Sequence, residues 1–126
     1  MKTVLITGGS GYIGTNLREY LRSKYSVLAP GHSALDLLNS AAVERYFNTH
    51  AIDVVINCAV VGGSRSEEQV MGSVATNLRM FFNIVRCRTY YKKMIHLGSG
   101  AEYDKDRPCH KVREEEFGKR VHAAGK

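Results

Sequence analysis

The stretch Thr3-Val4-Leu5-Ile6-Thr7-Gly8-Gly9-Ser10-Gly11-Tyr12-Ile13-Gly14 decides the fold of this chain. A short apolar run leads into a glycine turn, and apolar residues then recur at steps of four through Leu21, which indicates a helix. Gly8 and Gly11 are expected to take positive φ angles, and Gly14 is expected to bring the helix close to the strand. N–H groups at a helix start favour an anion such as a pyrophosphate. The stretch thus predicts a phosphate-binding turn; the alternative is an ordinary strand-to-helix turn without a ligand.

Composition places the chain among globular proteins. Its 126 residues suffice for one domain with a real core, and 44% of them are hydrophobic and 24% charged. No apolar run is long enough to cross a bilayer, and the chain enters its first strand without a signal-peptide pattern. We therefore expect a cytoplasmic protein with no membrane partner.

The charged residues and cysteines narrow the choice of ligand. The net charge is +6, but the basic residues are scattered and form no patch interleaved with aromatic residues, so we expect no nucleic-acid partner. An anionic small ligand suits this charge. Cys58, Cys87 and Cys109 are widely spaced, which predicts neither a disulfide framework nor a metal site. We expect Cys58 and Cys87 to be small core residues.

Apolar runs and helical periodicity alternate along the chain. They predict an α/β fold, a doubly wound parallel sheet of the Rossmann type with strand order 2-1-3-4 and a ligand crevice between strands one and three. Residues 1–104 form the expected dinucleotide-binding domain, and 105–126 a loop or tail. The predicted strands are 3–7, 25–29, 53–59 and 93–97, and the predicted helices are 12–24, 41–48 and 67–88.

The end of the second strand bears on the choice of cofactor. An acidic residue there would bind the ribose 2′-hydroxyl of NAD, but the chain has Ala29-Pro30-Gly31-His32-Ser33. Without a carboxylate to repel a 2′-phosphate, His32 or Ser33 can contact NADP. Because the loop also lacks an arginine, the sequence admits NAD or NADP and favours NADP only slightly.

The glycine spacing carries a family resemblance. Gly8, Gly11 and Gly14 follow a Gly-x-x-Gly-x-x-Gly pattern, which resembles the short-chain dehydrogenase/reductase superfamily and especially its extended branch of nucleotide-sugar epimerases, dehydratases and reductases. The resemblance implies an NAD(P) cofactor held in part by Gly8, Gly11, Tyr12, Ile13 and Gly14. It also implies a nucleotide-sugar substrate and a homo-oligomer.

The same resemblance implies further cofactor contacts. Asp36 and Leu37 correspond to a pair that holds the adenine, although Asp36 equally suits a loop carboxylate beside a helix cap. The segment Asn57-Cys58-Ala59-Val60 is similar to one that lies along the cofactor ribose, and its continuation resembles the GDP-fucose synthase type. Asn77 matches an asparagine that supports the active site from the long helix.

The catalytic residues are only partly present. Ser99 corresponds to the serine or threonine that hydrogen-bonds the sugar oxygen during hydride transfer, whereas Ala101 replaces a cysteine of the fucose synthase type. The family has a Tyr-x-x-x-Lys pair, and this sequence has only two chance matches to it. One is Tyr20 with Lys24, and the other, with histidine in place of tyrosine, is at 122–126. The resemblance thus implies an N-terminal, cofactor-binding part, inactive alone, as a fragment or a short relic. The alternative is a non-catalytic dinucleotide-binding or protein-interaction module of the same fold.

Overall fold

The computed structural model describes residues 1–62, 72–99 and 113–116. Its centre is a parallel four-stranded sheet with the strand order β2-β1-β3-β4, which confirms the predicted topology. Val4 of the first strand pairs with Val27 on one side and Val54 on the other. The strands are β1 (Thr3–Thr7), β2 (Ser26–Leu28), β3 (Val54–Asn57) and β4 (Lys93–His96).

Three α-helices connect the described strands: α1 (Tyr12–Leu21), α2 (Ser40–Thr49) and α3 (Ser73–Val85). Short 3-10 turns lie at Arg88–Tyr90 and Glu114–Glu116. The side-chain oxygen of Asn39 accepts a hydrogen bond from the Ala42 N–H at 3.0 Å and so caps the start of α2.

Helix α1 is shorter than the periodicity predicts. It ends at Leu21 rather than at residue 24, because the carbonyl of Leu21 accepts the N–H groups of both Lys24 and Tyr25, each at 2.9 Å. This turn sends the chain straight into β2, whose first residue bonds back to the Lys2 carbonyl.

The sheet is covered by helices on both faces. On one face, Leu5 and Val55 of the sheet pack with Val43 and Phe47 of α2 and Ile84 of α3. On the other face, Val4, Ile6 and Ile56 pack against partly buried residues that include Leu17 and Leu21 of α1. Two covered faces explain why the strands read as continuous apolar runs. Cys87 is buried in the first cluster and Cys58 is half-buried against the second.

Helix α3 carries apolar residues on more than one side. The buried side holds Met80, Asn83 and Ile84, whereas Val74, Leu78 and Phe82, which repeat at helical spacing in the sequence, are exposed. Periodicity detects a helix with such a composition but does not reveal which side faces the sheet.

Several sequence expectations lie outside the described residues. They are the first part of the predicted third helix (67–71), Gly63, the residues 100–103 that follow Ser99, Cys109, most of the expected tail and the chance match at 122–126. Within the described ranges, no helix combines the length and apolarity needed to cross a membrane. The same ranges contain no cluster of three or more metal-ligating side chains.

Candidate functional site

An open cleft of about 500 Å³ lies at the carboxyl edge of the sheet, above β1 and beside its two neighbours. This is the switch point of the topology, where the chain leaves β1 for β2 on one side and later returns as β3 on the other. The volume is in the range of small-molecule sites. The lining consists of Thr7–Gly14, Pro30–His32, Leu35, Leu37, Cys58–Val61 and Met80.

The glycine turn forms the floor of the cleft and is tightly packed. Gly8 has φ 67°, and a Cβ atom there would lie 2.8 Å from backbone atoms of Ala59. At Gly14 a Cβ atom would overlap the carbonyl oxygen of Gly8 and lie 2.8 Å from the Cα of Gly9. Gly14 therefore brings α1 against the turn itself. Side chains at these two positions would therefore push the turn away from the backbone that it packs against.

Gly11 differs from its prediction. The positive φ expected there is wrong: Gly11 has φ −75° and ψ 174°, the extended conformation of a helix N-cap. Its N–H donates to the Gly8 carbonyl at 3.1 Å, which closes the turn and leaves Gly11 to start α1. Only one of the two glycines is left-handed because a single αL residue suffices to reverse the chain here.

The N-terminus of α1 opens into the cleft without a side-chain cap or an acidic residue in its first turn. After Gly11, the first N–H of α1 that donates to an earlier carbonyl is that of Thr15, which bonds the Gly11 carbonyl at 2.9 Å. The N–H groups before it, on Tyr12, Ile13 and Gly14, have no acceptor within the helix. Together with the helix dipole they make this end of the cleft electropositive.

The wall after β2 is made by the loop that leads to α2. His32 lines the cleft, and the buried side chains of Leu35 and Leu37 line it from below; Ser33 and Asp36 are exposed and outside the lining. The carboxylate of Asp36 accepts the Leu38 N–H at 3.0 Å. Asp36 therefore makes a local turn before the helix cap.

The wall after β3 runs from Cys58 to Val61. Burial raises the pKa of the Cys58 thiol, so this lining residue is a neutral, apolar group near neutral pH. Asn77 of α3 lies behind the wall: its amide oxygen accepts the Val61 N–H at 2.8 Å, and its amide nitrogen donates to the Val61 carbonyl at 3.1 Å. Asn77 thus holds the backbone of a lining residue rather than lining the cleft itself.

A polar chain crosses the carboxyl ends of three strands. The Thr7 hydroxyl donates to the amide oxygen of Asn57, and the amide nitrogen of Asn57 lies 3.1 Å from Nδ1 of His96. Thr7 and Asn57 are buried, so this pairing satisfies groups that would otherwise be costly to bury. Asn57 therefore joins β1 to β4 beneath the cleft and is not a lining residue.

Ser99 lies on the exposed segment that follows β4, three residues after His96. Because β4 pairs in parallel with β3, this segment emerges at the same sheet edge as Asn57 and Cys58. Ser99 is outside the described lining of the cleft and stands beside it, one strand further along.

Two residues of α3 escaped the sequence interpretation. Met80 is 6% exposed and lines the cleft, and Asn83 is 5% exposed and donates from its amide nitrogen to the Leu37 carbonyl at 2.8 Å. For Asn83, the sequence offered one signal: a polar amide among the apolar residues of a helix. Its partner, 46 residues away, is not visible in a sequence pattern.

The charge of the cleft is one-sided. Among the described lining residues there is no Asp, Glu, Lys or Arg, so the electropositive group that faces the cleft is the N-terminus of α1. Such a cleft accepts an anionic group at α1 and apolar, flat groups between the two walls.

Comparisons with known proteins agree with this architecture. The sequence model described as "NAD dependent epimerase/dehydratase family" matches residues 4–122. A GDP-L-fucose synthase of Azorhizobium caulinodans is 37% identical over 107 residues, which cover 81% of this chain and 34% of that protein. The chain spans about a third of the length of the curated relatives it matches.

Solved structures give the same result for the fold. A GDP-6-OMe-4-keto-L-xylo-heptose reductase from Campylobacter jejuni superimposes with a TM-score of 0.80 at 26% identity, covering 92% of this chain and 34% of its own. A GDP-mannoheptose C4 reductase from the same organism, solved with NADP bound, has a TM-score of 0.79 at 25% identity and coverages of 92% and 36%.

Proposed function

Because the chain belongs to the NAD dependent epimerase/dehydratase family, we propose that its cleft binds NADP(H) or NAD(H) as the cofactor-binding part of a nucleotide-sugar epimerase, dehydratase or reductase. The observation that carries this proposal is the tight glycine turn, which opens the uncapped N-terminus of α1 into a cleft at the switch point. The missing side chains at Gly8 and Gly14 let the turn pack against neighbouring backbone, and a ligand pyrophosphate would accept hydrogen bonds from the N–H groups at the start of α1.

The two walls suit the two halves of a dinucleotide. In this type of fold the adenosine lies on the side of the second strand, where Leu35, Leu37 and Met80 offer apolar surface. Tyr12 and Ile13 contribute backbone N–H groups to the phosphates, and the backbone of Cys58, Ala59 and Val60 lies along a ribose. When bound, the nicotinamide would supply or accept hydride.

The cleft favours NADP slightly over NAD. A carboxylate that would repel a 2′-phosphate is missing from the described lining, and His32, which lines the cleft after β2, would contact that phosphate. Ser33 follows on the same loop, is exposed and would be a second contact to that phosphate. The NADP bound in the heptose reductase supports the same preference.

Ser99 is the proposed contact to the sugar. From its place beside the cleft its hydroxyl would polarise the oxygen at the carbon that exchanges hydride. The names of the relatives point to GDP-sugars as the substrate class. We further propose a cytoplasmic, homo-oligomeric protein.

We propose that this chain alone binds cofactor without turnover. Its Tyr-x-x-x-Lys pair with tyrosine at the first position is Tyr20 with Lys24, whose Nζ lies 3.2 Å from the tyrosine hydroxyl. That pair is exposed at the end of α1 opposite to the glycine turn. A catalytic acid/base must reach the reacting oxygen, and this pair does not.

A fluorescence titration tests the proposal. NADPH and NADH are added to the protein, and we expect saturable enhancement of the nicotinamide emission, with NADPH bound at least as tightly. Lys24→Ala is the control and should bind as the unchanged protein does. Loss of binding in Lys24→Ala, or no binding of either nucleotide at millimolar concentration, would contradict the proposed site.

A non-catalytic module of the same fold is the second candidate. The observation in its favour is the apolar surface of the edge strand and its continuation, where Ile95 is 40% and Leu97 37% exposed. Exposed apolar side chains on a strand at the edge of the described sheet can recruit a partner chain. Light scattering combined with the nucleotide titration separates the two: self-association without nucleotide binding argues for an interaction module, whereas nucleotide binding argues for the cofactor-binding part.

A further inference from the structure

A buried amide on α3 holds the loop wall of the cleft. Asn83 lies on the side of the helix that faces the core, between Met80 and Ile84, and donates a 2.8 Å hydrogen bond to the carbonyl of Leu37. Burying an amide in an apolar cluster is unfavourable unless it is paired, so this bond determines where the loop can sit.

The bond links two parts of the same wall. Leu37 lines the cleft from the loop after β2, and Met80 lines it from α3, three residues before Asn83. Other hydrogen bonds of this loop are local: the Gly31 carbonyl accepts from the N–H groups of Ala34 and Leu35, and Asp36 accepts from those of Leu38 and Asn39. Local turns shape the loop but do not fix its distance from α3.

We infer that Asn83 is a positioning residue for the adenosine half of the cofactor, acting through the Leu37 carbonyl to hold the loop wall of the cleft against α3. The inference rests on the proposed dinucleotide function, since it is the adenosine that would lie against this wall. Asn83 itself does not line the cleft. Its hydrogen bond keeps Leu37 in the buried apolar cluster that also contains Met80.

The test compares two substitutions of matched severity. Asn83→Leu keeps the approximate size and removes the donor, whereas Val4→Ala removes buried volume on the opposite face of the sheet. Affinities for adenosine 2′,5′-bisphosphate and for NADPH are measured by calorimetry, with thermal unfolding of each variant. We expect Asn83→Leu to weaken both ligands about tenfold, and Val4→Ala to lower the unfolding midpoint without weakening either.

A ligand-free measurement accompanies the titrations. Amide hydrogen exchange at Leu38 and Asn39, which follow the held carbonyl, should speed up in Asn83→Leu and stay unchanged in Val4→Ala. Where Asn83→Leu fails to fold, Asn83→Ser serves instead, because its hydroxyl is too short to reach the Leu37 carbonyl and it buries no added bulk.

The outcomes separate this inference from the proposed function. Binding of adenosine 2′,5′-bisphosphate by the unchanged protein, together with equal binding by the Asn83 variant, overturns the inference alone. Equal weakening in Val4→Ala also overturns it, because the effect is then general destabilisation. No binding of either ligand by the unchanged protein overturns both the inference and the proposed function.

Discussion

Gly8 has a left-handed φ of 67°. A Cβ atom added there would lie 2.8 Å from backbone atoms of Ala59, which is closer than van der Waals contact. Both conditions exclude a side chain, one through conformational strain and the other through overlap with a neighbouring wall. The turn and the wall after β3 are therefore built as one unit, and a change at Gly8 displaces both.

Gly8→Ala tests this coupling. We expect the free energy of unfolding to fall by about 1–3 kcal/mol and NADPH affinity to fall at least about tenfold. Gly31→Ala is the matched control, because no atom lies within 4 Å of its added Cβ and its φ is not left-handed. It should stay within about 0.5 kcal/mol of the unchanged protein. Unchanged binding in Gly8→Ala would show that the turn does not shape the ligand site.

Single residues were predictable where the constraint is local. Gly8 and Gly14 could be identified because glycine spacing after a strand has one geometric meaning. The positive φ at Gly11 was wrong because the spacing does not reveal which glycine becomes the helix cap. Asn83 could not be identified, since its role depends on a carbonyl brought near it only by the tertiary fold.

Helix α1 is the element that gives the cleft its charge. Its first residue, Tyr12, is 87% exposed, so its side chain contributes little to packing and can be replaced without creating a cavity. A negative charge at this position stabilises the helix through the dipole and opposes an anionic ligand. Stability and binding should therefore respond in opposite directions.

Tyr12→Glu is the corresponding prediction. The unfolding free energy should rise by about 0.3–1 kcal/mol at low salt, while NADPH affinity falls by about tenfold. Tyr12→Gln removes the ring without adding charge and should keep most of the binding. Thermal unfolding and fluorescence titration of both variants provide the measurements. If Glu and Gln bind equally well, the helix terminus does not contact the phosphates.

The amino ends of the strands are held by Asp53, on the side of the sheet opposite to the cleft. Its carboxylate accepts the Thr3 N–H at 2.9 Å and pairs with Lys92 at 3.2 Å, so it joins β1 to β4. The bond from Thr3, followed by the bond from Lys92, lowers the pKa of Asp53 below its ordinary value. Protonation of this carboxyl therefore opposes folding.

The stabilisation by Asp53 should depend on pH. A lowered folded-state pKa gives stability that is present above the ordinary Asp value of about 3.9 and is lost as the pH falls through the folded-state value. Unchanged protein should be more stable than Asp53→Asn at pH 7, and the difference should shrink below about pH 4. Thermal midpoints between pH 7 and pH 3 measure this. A difference independent of pH would show that the charge contributes nothing.

The type and order of the helices and strands were predictable from the sequence. The residue at which a helix ends and the side that it buries were less predictable. The end of α1 at Leu21 depends on two backbone bonds in the turn that follows, and periodicity does not encode them. In α3 the apolar residues lie on several sides, so the sequence left open which side the sheet would bury. Tertiary packing decides both features.

The whole molecule gathers distant segments at one edge. Thr7 and Asn57 are 50 residues apart, yet they share a buried hydrogen bond at adjacent strand ends. The strand order 2-1-3-4 was predictable because parallel strands with right-handed crossovers leave few alternatives. That order places the glycine turn between two walls and creates the cleft. The tertiary support of the two walls was not predictable, because it comes from α3, where Asn77 bonds the backbone of Val61 and Asn83 bonds the carbonyl of Leu37.

Amide chemical-shift mapping with NADP⁺ tests the central claim most directly. Addition of the nucleotide to labelled protein should shift the amides of Gly8, Gly11–Gly14 and Ala59–Val61, with saturation at one common dissociation constant. A second groove lies between α3 and the start of α2, and the amides of Leu78 and Phe82 in it are the internal comparison and should remain unshifted. Shifts confined to that groove, or none at the glycine turn, would contradict the dinucleotide site proposed for this chain.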